Sequence, residues 1–150
     1  MAKSKWSLGV FTAGVFLAGF AFRGIVAMPA VQAQTATDKV FEIRIYTAAP
    51  GKLDALKARF RDHTIKVFDK YGMKSIGYWQ PQAAPTQPQW DNTLVYILQH
   101  PSREAATKAW ASFNADPDWQ AARTASQKDG PLTTKVESVF TTASDFSPIK

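Results

Sequence analysis

The residues of this sequence that could bind a small molecule are concentrated in one stretch, FEIRIYTAAPGKLD, at positions 41–54. Glu42, Arg44 and Tyr46 alternate there with apolar residues, so they share one face of a predicted strand. An arginine offers a forked, charge-assisted donor to an anionic or carbonyl oxygen, and a tyrosine hydroxyl adds a further donor. This row therefore predicts the polar side of a ligand pocket.

Aromatic residues of two later strands complete this candidate site. Tyr78 or Trp79, together with Tyr96, would enclose the flat apolar body of a ligand. The predicted ligand-binding residues are Glu42, Arg44, Tyr46, Trp79 and Tyr96. An alternative interpretation is structural: Glu42 and Arg44 satisfy each other, or pair across two copies of the chain, because buried charges need partners.

Other residues that could do chemistry are few. His63 and His100 are the two histidines and cysteine is absent, so no metal site and no other cofactor is predicted. Either histidine could serve as a general base or a haem ligand, but His63 is predicted to lie at the boundary of a helix face and His100 in a turn. Trp110, Phe113 and Trp119 have helical spacing on an alanine-rich face, which is typical of a core. Catalytic residues stay unassigned.

The N-terminus has the anatomy of a secretory signal. Lys3 and Lys5 precede an uncharged apolar run at 6–22, and Val31-Gln32-Ala33 supplies the small residues that a signal peptidase needs. We predict a signal peptide at 1–33, a flexible lead-in at 34–39 and one domain at 40–150, in a protein that is periplasmic or secreted. The alternative is a retained N-terminal membrane anchor; after cleavage no stable membrane insertion is expected.

Charge and composition limit the functional classes. The whole chain of 150 residues is 45% hydrophobic and carries a formal charge of +6. Without residues 1–33, 15 basic and 12 acidic residues remain, a net charge of +3 with no basic block, so no nucleic-acid partner is predicted. An exported chain without disulfides must be stabilised by core packing or by association.

Periodicity predicts six main elements with an additional helical segment. Strands are predicted at 40–47, 73–79, 93–99 and 134–141, and helices at 52–71, at 103–114 and, as a shorter segment, from 117. The order is that of a ferredoxin-like α+β unit, an antiparallel four-stranded sheet with both helices on one face. Because apolar residues occur on both parities of these strands, the second face is expected to pair with another copy of the chain. In the first strand, Phe41, Ile43 and Ile45 are expected to pack under the helices, so that Glu42, Arg44 and Tyr46 face the second copy.

Several segments in this order resemble the NIPSNAP family. They are Glu42–Thr47 followed by Pro50–Leu53, Tyr71–Trp79, Ser102–Ala106, Asp116–Trp119 and Ser144–Pro148. The resemblance covers almost all of 41–149 and implies a dimeric α+β barrel. The proline- and glutamine-rich segment 80–92 departs from a Gly-x-x-Asn segment that the family often has there, so a family-like ligand contact from this loop is not expected.

These observations lead to two main functional hypotheses. The first is an exported homodimeric binding or accessory protein that holds a small, partly apolar ligand in the barrel. The alternative is a cofactor-independent monooxygenase- or isomerase-like enzyme, in which Arg44 and Tyr46 stabilise an enolate-like oxyanion. The enzyme hypothesis lacks a convincing general base. A third hypothesis is an interaction module with a filled barrel.

Overall fold

A computed structural model of the chain describes residues 39–82 and 84–150. The predicted signal peptide, and all of the lead-in except Lys39, lie outside these residues. Within the described residues, no helix is both long and apolar enough to cross a bilayer.

The elements follow the predicted order with small changes at their ends. Four strands, β1 (Val40–Ala48), β2 (Lys74–Trp79), β3 (Thr93–His100) and β4 (Thr133–Thr141), form one antiparallel sheet in the order β2-β3-β1-β4. The helices are α1 (Leu53–Arg59), α2 (Ile65–Lys70), α3 (Arg103–Ala115) and α4 (Pro117–Ser126). The predicted ferredoxin-like α+β fold is confirmed.

The first predicted helix is continuous but not uniform. A π-helical segment, Phe60–Thr64, joins α1 to α2, and the Thr64 hydroxyl donates to the carbonyl of Arg59 at 3.2 Å. Gly72 then adopts a φ of +67°, the left-handed conformation that ends helices and that glycine adopts without a steric penalty. The chain enters β2 directly afterwards.

The core lies between the helices and one face of the sheet. From the strands it contains Leu94, Tyr96 and Leu98, each at most 5% exposed. From the helices it contains Leu56, Phe60, Phe68, Phe113 and Trp119. Phe113 and Trp119 are therefore core residues as predicted, with ring centroids 4.5 Å apart. We call this side of the sheet the covered face and the other side the open face.

Asp116 lies between α3 and α4 and connects both helices to the end of α2. Its Oδ1 accepts from the backbone N–H of Trp119 at 2.9 Å and so caps α4. Its Oδ2 accepts from Lys70 Nζ at 2.7 Å and from the Tyr71 hydroxyl at 2.9 Å. The hydrogen bond from Lys70, followed by that from the Trp119 backbone, lowers the pKa of Asp116 from 3.8 to about 2.

We expect Asp116→Ala to lower the urea midpoint of unfolding, because the cap of α4 and the tie to the end of α2 are lost together. Asp116→Asn should lose less, since asparagine can still cap the helix. Asp118→Ala is the matched control, because Asp118 is an exposed acid two residues further on. Equal midpoints for Asp116→Ala and Asp118→Ala would contradict the assigned role.

Candidate functional site

The polar residues of β1 lie on the covered face, between the sheet and α3. Glu42 is 1% exposed, and Arg44 lies over the ring of Trp110 with its Cζ 4.3 Å from the ring centroid. The sequence-based expectation that Phe41, Ile43 and Ile45 pack under the helices, with Glu42, Arg44 and Tyr46 turned toward a second subunit, is therefore wrong. Glu42, Arg44 and Tyr46 share one face of the sheet as predicted, but this is the covered face and not the open face.

The buried carboxylate of Glu42 is the centre of a hydrogen-bond network. Oε1 accepts from Arg44 Nη1 at 2.6 Å and from Ser138 Oγ at 2.7 Å. Oε2 accepts from Trp110 Nε1 at 2.6 Å and lies 3.2 Å from His100 Nε2, which must carry a proton there because a carboxylate can only accept. Three strands and α3 thus converge on one side chain.

This network decides the protonation state of Glu42. Burial alone would raise its pKa, but the hydrogen bonds from His100, Ser138, Trp110 and Arg44 outweigh burial and lower the pKa from 4.5 to about 2. A general base near neutral pH needs a pKa close to the working pH and a free lone pair. Glu42 has neither, so the structural interpretation of the Glu42–Arg44 pair accounts for its geometry.

Arg44 and Tyr96 each carry a buried polar atom without a hydrogen bond of normal geometry to any of the described residues. Arg44 Nη2 donates to the Tyr46 hydroxyl at 3.1 Å, whereas Arg44 Nε is buried without a partner in the described residues. The Tyr96 hydroxyl is also buried without a partner there, and burial raises its pKa well above 10. Tyr46 packs on Tyr96 with ring centroids 5.3 Å apart.

The structure divides the predicted ligand set into two groups. Glu42, Arg44, Tyr46 and Tyr96 are brought together on the covered face. Trp79 is not among them: it pairs with Val95 on the open face, is 48% exposed, and its ring lies 2.7 Å from where a Cβ on Gly77 would be. Tyr78 has the opposite orientation and stacks on Tyr96 at 5.6 Å between ring centroids.

The central part of the open face of the sheet is apolar. Its apolar residues by strand register are Phe41, Ile43, Ile45, Trp79, Val95, Ile97 and Val139, with Gly77 among them, and the same register places Lys74, Gln99, Lys135, Glu137 and Thr141 around them. Val139 is 53% exposed and Trp79 48%. No helix of the described chain covers this face, which is consistent with helices packed against the other side.

A groove of about 270 Å³ lies on the open face. Its floor consists of Phe41, Ile43, Ile76 and Ile97, and its wall is formed by the C-terminal segment from Thr141 to Ile149. That segment is attached at its end, where the Gln99 side chain donates to the backbone carbonyl of Lys150 at 2.9 Å. The groove therefore has an apolar floor and a wall that includes hydroxyl groups.

Of the two histidines, His63 lies in an environment like the one predicted and His100 does not. His63 is exposed on the π-helical segment, consistent with a boundary position. His100 was predicted to lie in a turn, but it ends β3, is 1% exposed and contacts Glu42. Among the described residues no group of three possible metal ligands occurs.

Sequence reasoning missed three members of the Glu42 network. Trp110 was assigned only to the core, and neither Ser138 nor His100 was connected with Glu42. The separation of His100 and Ser138 from Glu42 is 58 and 96 residues. In the folded sheet, Ser138 of β4 lies opposite Arg44 of β1. This position depends on the register between the two strands, which is a property of the folded sheet.

Comparisons with known proteins agree with this fold. The NIPSNAP family profile matches residues 41–148. A NIPSNAP family protein of unknown function from Agrobacterium tumefaciens has a similar structure, with a TM-score of 0.63, 23% identity, and coverage of 75% of this chain and 95% of that chain. An uncharacterized NIPSNAP-like domain protein from Burkholderia xenovorans is also similar, with a TM-score of 0.62, 22% identity, and coverage of 74% of this chain and 90% of that chain. Among curated proteins, none matches this chain.

Proposed function

This chain belongs to the NIPSNAP family, and we propose that it acts as an exported, homodimeric binding protein that holds a small, partly apolar ligand between two paired sheets. The observation that carries the proposal is the uncovered apolar face with its groove of about 270 Å³. Apolar side chains such as Ile43, Val95 and Ile97 gain free energy when another surface removes them from water.

A second copy of the chain is the occupant that the face fits best. The face presents one sheet of antiparallel strands, and an isologous pairing would place the same apolar residues against each other. Two sheets packed face to face are separated by about 10 Å, which side chains from both sides fill. The groove against the C-terminal segment would then become an enclosed pocket, with an apolar floor and a few hydroxyl groups to orient a ligand.

We expect Ile97→Glu to convert the dimer into a monomer, because each interface would contain two buried, unpaired carboxylates. The dissociation constant should rise by at least ~100-fold, as measured by sedimentation velocity over a concentration series, while the circular dichroism spectrum is retained. Ala125→Glu is the matched control, since Ala125 is exposed on α4. A wild-type chain that is monomeric at high concentration would contradict the assembly.

Ligand binding requires its own test. Native mass spectrometry of gently purified protein should detect a bound small molecule, and Ala143→Trp should prevent its retention by filling the groove that Ala143 lines. The same variant should remain dimeric. A wild-type dimer without any bound small molecule would contradict the ligand site, and so would retention of the small molecule by Ala143→Trp. The existence of the dimer is tested separately by Ile97→Glu.

Export is part of the same proposal. The positive start, the apolar run and the Val31-Gln32-Ala33 site support it. N-terminal sequencing of the protein from the producing cell should begin at Gln34. A sequence beginning at Met1 or Ala2 would favour the membrane-anchored alternative.

A further inference from the structure

A second cavity lies at the outer edge of the sheet, between the first helical layer and β2. Its volume is about 300 Å³, and β2 is an outer strand of the sheet. Trp79 at the end of β2 and Leu94 at the start of β3 line it from the sheet, and Phe60 lines it from the helical side. None of its lining residues also lines the groove on the open face. We call this space the edge cavity.

The inside of the edge cavity is apolar and largely aromatic. Phe60 and Leu94 are its most deeply buried lining residues. The ring of Tyr78 meets the ring of Phe60 edge to face, with centroids 5.9 Å apart. The Tyr78 hydroxyl is already hydrogen-bonded to Ser75 Oγ at 2.6 Å, so Tyr78 contributes its ring to the cavity. This interior therefore suits a ligand with an apolar body.

Trp79 forms a wall of the edge cavity because a glycine leaves room for its ring. Two atoms of the indole lie 2.7 Å from the position that a Cβ on Gly77 would take, so a side chain there would displace the ring. The strand register shifts between Ser75 and Gly77, as at a β-bulge. Trp79 was predicted to bind a ligand and is absent from the Glu42 network, but together with Tyr78 it lines this cavity.

The entrance of the edge cavity is cationic. Lys57 and Arg61 line it, one helical turn apart, and no acidic residue is among the lining residues. The Nζ of Lys57 is paired with Asp54 Oδ1 at 2.8 Å and donates to Gln80 Oε1 at 3.0 Å. Arg61 is exposed, and none of the ion pairs among the described residues includes it. The positive charge of Arg61 is therefore available to a ligand.

We propose that the edge cavity binds a planar aromatic monocarboxylate, with its ring system among Phe60, Tyr78 and Trp79 and its carboxylate on Arg61. The planar fork of an arginine fits a carboxylate through two parallel hydrogen bonds, and aromatic rings pack favourably against one another edge to face or offset. A volume of about 300 Å³ is at the small end for ligand pockets, which favours a single or fused ring. Every residue of this site belongs to one chain, so the site does not depend on pairing of two copies.

The test uses 2-naphthoate as the probe and the full chain at neutral pH. Isothermal titration calorimetry measures the dissociation constant, and the NMR spectrum follows the indole N–H signal of Trp79, which is assigned by its absence from Trp79→Leu. Binding should be saturable and should shift this signal. The neutral isostere 2-naphthamide should bind about tenfold or more weakly, because it cannot form charge-assisted hydrogen bonds with Arg61. Decanoate, which has the charge without the ring system, should also bind more weakly than 2-naphthoate.

Two variants identify the residues. Arg61→Met should weaken the binding of 2-naphthoate by about tenfold or more and leave the binding of 2-naphthamide unchanged, since only the charged group is removed. Trp79→Leu should weaken the binding of both compounds, because it removes an aromatic wall. Arg123→Met is the matched control: Arg123 is exposed on α4 and does not line the cavity, so this variant should bind like the wild type. Ile97→Glu should also bind like the wild type.

The contrary outcomes are equally defined. The absence of saturable binding of 2-naphthoate, or wild-type affinity in Arg61→Met, would overturn the site. Equal affinities for 2-naphthoate and 2-naphthamide would overturn the assignment to a carboxylate, and tighter binding of decanoate would overturn the assignment to an aromatic ligand. Loss of binding in Ile97→Glu would show that the site needs a second copy, which contradicts its assignment to a single chain. A chain that is monomeric throughout would leave the expected results for the edge cavity unchanged.

Discussion

Glu42→Gln should reduce the free energy of unfolding by about 3 kcal/mol, because removal of one member of a buried ion pair leaves the other charge uncompensated. The glutamine has nearly the same shape, so packing is preserved and the loss reports on charge. Arg44, 15% exposed and bonded at 2.6 Å to Glu42, would be left facing an amide, while His100 and Trp110 would lose a charged acceptor. Equilibrium unfolding in urea, followed by circular dichroism, measures this loss.

Ser138→Ala is the control for this experiment. It removes one of the four hydrogen bonds to the carboxylate, at 2.7 Å, and leaves the ion pair intact. The expected loss is about 1 kcal/mol, as for an ordinary hydrogen bond. Similar losses for Ser138→Ala and Glu42→Gln would mean that the charge of Glu42 contributes little, and would contradict the network described above.

The same network should make the stability of the protein sensitive to acid. Glu42 has a pKa of about 2 in the folded protein against 4.5 ordinarily, so the unfolded chain binds a proton first as the pH falls. The stability due to this group is therefore fully present above about pH 4.5 and is lost progressively as the pH falls toward 2. The shift corresponds to about 3 kcal/mol, which solvent screening of the partly accessible network reduces to about 2 kcal/mol.

The difference between the wild type and Glu42→Gln isolates this effect. Asp116 also has a lowered pKa, so the wild type alone would combine two carboxylates. Because Asp116 is present in both proteins, the gap between their unfolding free energies should narrow as the pH falls from about 5 toward 2. A gap that stays constant over this range would contradict the low pKa of Glu42.

Local patterns in the sequence were sufficient to predict the elements and their order. The alternation of 41–46 predicted β1, and periodicity predicted the end of the first helix at 71 and the start of a further helical segment at 117, which the structure confirms to within one residue. These signals depend on the conformational preferences of a few neighbouring residues. The ferredoxin-like fold followed from the order of elements, since short connections leave few possible arrangements.

The assignment of faces could not be obtained in the same way. A period of two separates Glu42, Arg44 and Tyr46 from Phe41, Ile43 and Ile45, but it does not say which row the helices cover. Polarity was a misleading guide, because the polar row is neutralised by partners from α3, β3 and β4 and is thereby buried. The apolar row is the one that no helix of the described residues covers.

The sequence by itself determined the elements, their order, the family and the two rows of β1, because each depends on residues close in the chain or on motifs in a fixed order. The tertiary structure alone decided what those rows contact. His100, Trp110 and Ser138 surround Glu42 only when β3, α3 and β4 are assembled. The physical reason is that hydrogen bonding and charge compensation depend on distance in space, which the order of residues along the chain does not specify.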